Sequence, residues 1–530
     1  MKIRATRYAV AMTLPLARSC GRAISKFVRR VFYYTLVACL QVACADSGDS
    51  PSPQTGNMLP RTRTEAARPD LILMISLDTL RADHLGFSGY ERPTSPVLDA
   101  FAAKSVIFED ASATSPWTLP SHASMLTGLY PKRHGVVSPG TKLSVRTETV
   151  AGDLARAGFE TYAVVNTPWL AGDTFGFMRG FETKLFVKGG GARVAPNTLV
   201  TDQALDWLGR KSTKPKFVFM HYIDAHSDYV ALPEHEALFL KPFDGEFTGT
   251  TRELFELRVT DAFIESCRTT PAADRCKDNT GAPLTNLLRK SVLEGDGLEH
   301  LVDRYDAGIH QLDAELGRVF AFLNEQGLMK RAVVIITADH GEALMDHGDL
   351  FHAASQYQEV IRVPLLVRGP GLPEGKRVAT PVSLVDLTPT ILELARVRPI
   401  IGIDGRSLVP LWRMDEQHQF DERDLFAEAP GEYNEMVGLE RYHVLRRGQY
   451  KLHHELFKNR FELYDLNADP NELENIASQE PERLAAMRER LLARHSPDGE
   501  GAAAARPGDA DTVDLSEEAR DALRALGYLE

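Results

Sequence analysis

The chain has 530 residues, enough for one large domain and a smaller one. Its apolar (43%) and charged (25%) fractions are those of a globular protein. The net charge of −12 argues against the basic groove that a nucleic-acid partner requires, but not against an anionic substrate, whose charge a bound metal can neutralise locally.

Residues 1–44 read as an export segment. The first thirty carry eight Lys and Arg and no acid, and the apolar run VFYYTLVACLQVA (31–43) that follows is too short to span a bilayer. Leu36-Val37-Ala38-Cys39 resembles a bacterial lipobox, and Cys44 is the competing anchor. An exported, periplasmic or outer-envelope protein tethered to the membrane by a lipid is expected. A cleaved signal or an interfacial helix is the alternative. Residues 45–69, rich in Ser, Pro, Thr and Arg, suit a flexible spacer.

From residue 70 apolar runs alternate with amphipathic ones. LILMISLD (71–78), TYAVVN (161–166), KFVFMHYID (216–224), RAVVIITAD (331–339) and VPLLVRG (363–369) read as strands of a parallel sheet covered on both faces. Residues 300–327 have helical apolar spacing. The alternation predicts a doubly wound, mostly parallel α/β domain over 70–398. Cys267 and Cys276 are spaced for a small disulfide loop, with a free inert pair as the alternative. A smaller α+β subdomain is expected over 399–495, from DLFAEA, YHVLRRGQYKLHHE, RFELYDL and the helix PERLAAMRERLLARH. Residues 496–512 read as a loose linker. They lead to a terminal helix, DLSEEARDALRALGYL, capped by Ser516 and expected to dock on the main domain.

Open α/β sheets place their sites at the carboxyl ends of strands. There this chain carries Asp78, then His221, Asp224 and His226, then Asp339-His340. The turn SPWTLPSHASMLTG (115–128) adds Thr118 and His122. Each has an ordinary explanation alone, as an N-cap or a satisfied polar side chain. Together, two carboxylates, an imidazole and a hydroxyl form a ligand set for one divalent cation. A metal beside Thr118 would activate a hydroxyl that is otherwise a weak nucleophile. His226 and His352 are placed to bind substrate oxygens, serve as acid or base, or complete a second metal site.

These segments resemble the sulfatase family of the alkaline phosphatase superfamily. The resemblance runs over SLDTLRADHLGFSGYERPTSPVLDAFA, TLPSHASMLTGLYPKRHGV, HYIDAHSDY, TADHGEALMDHGDLFH, IRVPLLVRGPG, PVSLVDLTPTILELA and ELYDLNADPNELENIA, in family order from about residue 70 to 480. It implies the family fold and metal ligation by Asp78, Asp339 and His340. It also implies Thr118 as nucleophile and ligand, with His226 and His352 at the transferred group or leaving oxygen. The departures matter as much. The family's motif is Cys or Ser, any residue, Pro, Ser, Arg; here it is Thr118-Leu119-Pro120-Ser121-His122. Oxidising a threonine gives a ketone, so the family's formylglycine aldehyde is closed to this chain. His122 stands for the arginine, Thr79 for the second Asp of the opening pair, and Asn166 near the family's lysine.

Threonine with an Asp-His pair resembles the superfamily's nucleotide pyrophosphatases, phosphoethanolamine transferases and lipoteichoic-acid synthases. A hydrolase of phosphate or phosphodiester esters is therefore expected ahead of one for sulfate esters, with Thr118, His122, His226 and His352 catalytic and Asn166 and His221 at the substrate. The imidazole ligand favours zinc or manganese over calcium or magnesium. A lipid-anchored transferase and a catalytically silent binding protein are the rivals. Glu342, Asp346 and His347 are candidates to orient the metal ligands, with Asp346 read as solvated. His134 reads as a structural contact, and Arg362 as a salt-bridge brace.

Overall fold

The computed structural model describes residues 68–188, 197–245, 248–251, 254, 295–353, 355–413, 420, 423–429, 442–456, 458–496, 511–512 and 520. The export segment, the Cys267–Cys276 pair and the terminal helix with Ser516 lie outside them, apart from Arg520. No helix among the described residues is long and apolar enough to cross a membrane.

In chain order the strands are β1 (Leu71–Leu77), β2 (Val106–Ser112), β3 (Thr141–Lys142), β4 (Glu160–Val165), β5 (Thr183–Phe186), β6 (Lys216–Tyr222), β7 (Ala332–Ala338), β8 (Arg362–Arg368), β9 (Arg377–Val378) and β10 (Val382–Ser383). The main sheet runs β10-β2-β8-β7-β1-β6-β4-β5, with β9 beside β2. Every residue of β1 and β7 is buried, which is why both read as near-continuous apolar runs. The 30-residue helix Asp296–Glu325 buries Leu301, Tyr305, Ile309, Leu312, Leu316, Val319 and Leu323, a stripe three to four residues apart. It packs on the helices Asn197–Gly209 and Pro96–Ala102, while the helix Thr118–Thr127 packs on Leu387–Leu394.

The strand VPLLVRG departs from expectation. As β8 it runs antiparallel to both β7 and β2, inside an otherwise parallel sheet. A fully buried run has no alternation from which to read direction. The 23 residues between β7 and β8 also need no helical crossover, because an antiparallel return does not demand one.

A second, four-stranded antiparallel sheet follows: β11 (Asp424–Ala429), β12 (Tyr442–Arg447), β13 (Tyr450–Glu455) and β14 (Arg460–Asp465). Leu445, Leu452 and Leu463 pack against Met487 and Leu491 of the helix Pro481–His495. Arg446 pairs with Asp110 of β2, joining the two sheets. Within the stretch expected as a loose linker, β15 (Asp511–Thr512) pairs antiparallel with β3.

Sheet register positions the site. Leu77 of β1 lies opposite Ala338 of β7 and Tyr222 of β6. The next residues outward on β1 and β7 are Asp78 and Asp339, so two carboxylates leave the sheet side by side.

Candidate active site

Asp78, Asp339 and His340 present ligand atoms within 4.8 Å of one another, all buried. Thr118 begins the helix Thr118–Thr127, and its Oγ1 lies 3.5 Å from His340 Nε2. His340 Nδ1 donates to the Gly341 carbonyl (2.9 Å), so the ring turns a lone pair on Nε2 toward the carboxylates. Nε2 is 3.4 Å from Asp339 Oδ2 and 3.8 Å from Asp78 Oδ1. Asp339 Oδ1 accepts the amides of His340 (2.9 Å) and Thr79 (3.3 Å), which fixes that carboxylate. Asp78 Oδ1 and Asp339 Oδ2 are buried with no hydrogen-bond partner.

Lone pairs thus converge where no proton donor serves them. Burial raises both carboxyls, Asp339 to about 7 with the like charge of Asp78 adding to the effect. Burial also lowers His340 to about 4 and keeps it neutral. A divalent cation fits such a set, because it supplies the charge that the orphaned oxygens lack.

A second group, His122, His221 and Asp339, is equally close but not equally ready. His122 Nδ1 donates to the Thr118 carbonyl (2.8 Å), and its Nε2 accepts from the Ser76 hydroxyl (2.9 Å). Both nitrogens are committed, and burial holds the ring neutral at about 4. His122, expected as a catalytic group, therefore sits under the Thr118 turn. His221 and Asn166, expected at the substrate, lie behind Asp78. His221 Nε2 is 3.2 Å from Asp78 Oδ2, and its Nδ1 is 3.2 Å from Asn166 Oδ1. Asn166 Nδ2 donates to Asn197 Oδ1 (3.1 Å), which also accepts the Ile223 amide.

His226 and His352 lie beside His340, both buried. Their ring centroids are 5.1 Å apart, and His352 is 4.5 Å from His340. His226 Nδ1 donates to the Ser227 carbonyl (2.6 Å), and His352 Nδ1 to the Glu342 carboxylate (3.1 Å). Glu342, expected to orient metal ligands, holds His352 and accepts from Tyr229. Thr79 adopts φ 55°, costly for a β-branched residue. Its carbonyl accepts from Tyr305 (2.7 Å), so the residue in place of a family carboxylate contributes its backbone.

Other expectations resolve plainly. Asp224 turns away, accepting from Gln311 (2.8 Å) of the long helix. Arg362 donates to the Glu109 carbonyl and braces β2 through a backbone oxygen rather than through an ion pair. His134 is buried against Ser124. Asp346 is half exposed and pairs with Arg81, and His347 is held by Glu359. Sequence reasoning missed Ser76, Asn197, Tyr229 and Tyr305. Only Ser76, a hydroxyl inside an apolar run, left a signal.

A family model described as Sulfatase matches residues 70–397, and another, N-sulphoglucosamine sulphohydrolase, C-terminal, matches residues 346–496. The chain belongs to the sulfatase family of the alkaline phosphatase superfamily, hydrolases of sulfuric and phosphoric esters. Among its relatives is an N-acetylglucosamine-6-O-sulfatase of Bacteroides thetaiotaomicron. It is 24% identical over 473 residues, covering 78% of this chain and 83% of the relative. A solved putative sulfatase from the same organism superposes with TM-score 0.65 at 21% identity, covering 86% of this chain and 96% of that one. The phosphonate monoester hydrolase of Agrobacterium radiobacter superposes with TM-score 0.63, also at 21% identity, covering 81% and 95%. Both structures share the fold.

Proposed function

We propose that the chain is a metal-dependent hydrolase of phosphate mono- or diesters that uses Thr118 as nucleophile. The observation that carries this reading is the position of Thr118 Oγ1 3.5 Å from His340 Nε2, the nitrogen that itself lies 3.8 Å and 3.4 Å from the unpartnered oxygens Asp78 Oδ1 and Asp339 Oδ2. Asp78, Asp339, His340 and Thr118 would hold the ion, zinc or manganese ahead of calcium or magnesium because an imidazole is among the ligands. When bound, it supplies positive charge that favours the alkoxide and offsets the anionic ester.

The chain's own groups do the rest. The helix N-terminus behind Thr118 favours a negatively charged group there. Thr118 Oγ forms a bond to phosphorus as the ester oxygen leaves, the threonine proton passing by way of the neighbouring histidines to that oxygen, and water then displaces the threonine. His226 and His352, packed beside His340, serve the transferred group or the leaving oxygen. His122 fixes the Thr118 turn, and His221 with Asn166 holds Asp78. The family name favours sulfate esters as a second reading. The threonine argues against it, because a sulfo-threonine lacks the elimination route of an aldehyde hydrate.

The test uses residues 46–530, stripped of metal and restored separately with zinc, manganese, magnesium or calcium. Matched aryl phosphate, phosphodiester, phosphonate and sulfate esters are the substrates. Phospho-ester turnover is expected with zinc or manganese and should fall more than about a thousandfold in Thr118→Ala. Sulfate turnover lost in that variant would replace this reading with the second.

A further inference from the structure

Glu342 is buried on the loop after His340, and the chemistry above gives it no role. His352 Nδ1 lies 3.1 Å and 3.3 Å from its two carboxylate oxygens. Tyr229, three residues beyond His226, donates its hydroxyl to Glu342 Oε2 at 2.8 Å. A carboxylate only accepts, so His352 carries its proton on Nδ1, and Nε2 is the ring's acceptor. That ring lies against His340, the residue beside the Thr118 hydroxyl. It is 4.5 Å from the His340 ring, whose Nε2 faces Thr118 Oγ1, and the neighbouring Ala353 amide donates to the Pro116 carbonyl (2.9 Å) just before the nucleophile turn.

We propose that Glu342 is a positioning residue that makes His352 the base for the second half of the reaction, the attack of water on phospho-Thr118. The inference rests on the threonine reading. The balance is simple. The water oxygen bonds to phosphorus, the Thr118 Oγ–phosphorus bond breaks, and the water proton goes to His352 Nε2. The resulting imidazolium is stabilised by Glu342, and a proton returns to Thr118 as the site resets. Tyr229 sets the carboxylate's angle and ties it to the loop that carries His226.

Glu342→Gln is the informative variant. The Tyr229 hydroxyl should keep hold of the amide oxygen, turning the amide NH2 toward His352 Nδ1. That drives the ring proton to Nε2 and removes the base. The expected result is a turnover loss of about a hundredfold. Phosphorylated Thr118 should accumulate in quenched samples, and kcat should become the same for good and poor leaving groups, because only the second step limits. Adding Tyr229→Phe frees the amide to rotate and should restore part of the rate, whereas a packing role would make the double variant worse. Independently of any variant, 15N-histidine NMR of the wild type should show His352 protonated at Nδ1. A His352 protonated at Nε2, or a Glu342→Gln variant that turns over like wild type without phospho-Thr118, would overturn the proposal. If Thr118 is never labelled and Thr118→Ala is fully active, the threonine reading falls too.

Discussion

One methyl group separates threonine from serine, and its consequences are local. If Thr118 is the nucleophile proposed here, its hydroxyl must be activated by what surrounds it. Those surroundings are built tightly. Gly341, next to His340, donates its amide to the Val360 carbonyl, and a Cβ there would stand 2.1 Å from the Glu359 carbonyl oxygen. Gly341→Ala must push these backbones apart and carry His340 with them. Its expected effect is a loss of about a hundredfold in kcat/KM, since a displacement of about 1 Å costs that much. Metal affinity should fall alongside. Near-normal metal binding and turnover would mean that His340 is not the ligand assigned to it. At this scale the sequence was most legible where residues end strands. Asp78 and the Asp339-His340 pair could be read as a set, because an apolar run stops at each of the two carboxylates. Asn197 and Tyr305 could not, because the fold brings them in from distant helices to meet Asn166 and Thr79.

Elements that are buried on both faces announced themselves, and β1, β4, β6 and β7 fall within a residue or two of the apolar runs that predict them. The short edge strands β5, β9 and β10 did not, because two to four residues carry no pattern. Nor did the link between the small sheet and the site loop. Glu472, at φ 55°, accepts Lys451 Nζ (2.9 Å), His453 Nε2 (2.9 Å) and the Gln358 amide (2.7 Å), while its carbonyl accepts from His347 (3.2 Å). Burial alone would raise its carboxyl, but Lys451 and His453 outweigh burial and hold it at about 2, below its ordinary 4.5. A depressed carboxyl stabilises the fold fully above the ordinary value and loses that contribution as pH falls toward 2. Burial works against Lys451 and His453, pulling both toward their neutral forms, so the net gain is smaller than the depression of Glu472 alone would give. Glu472→Gln should therefore melt several degrees below wild type at pH 7, with the gap closing as pH falls below about 4.5. A gap that stays constant with pH would assign Glu472 to packing rather than charge.

For the molecule as a whole, the sheet explains how the carboxylate pair is held together independently of the residues around it. Three adjacent parallel strands, β7, β1 and β6, end at one edge, and their register sets Asp78 beside Asp339 whatever stands at Thr79 or His122. The nucleophile turn and the histidine loops are then laid over that edge. The account requires two displacements at phosphorus, one by Thr118 and one by water, and stereochemistry reads their number directly. A phosphodiester made chiral at phosphorus should be hydrolysed with retention of configuration, because two inversions cancel. Inversion would mean that water attacks the ester in a single step, and Thr118 would then be a ligand or a bystander rather than the nucleophile.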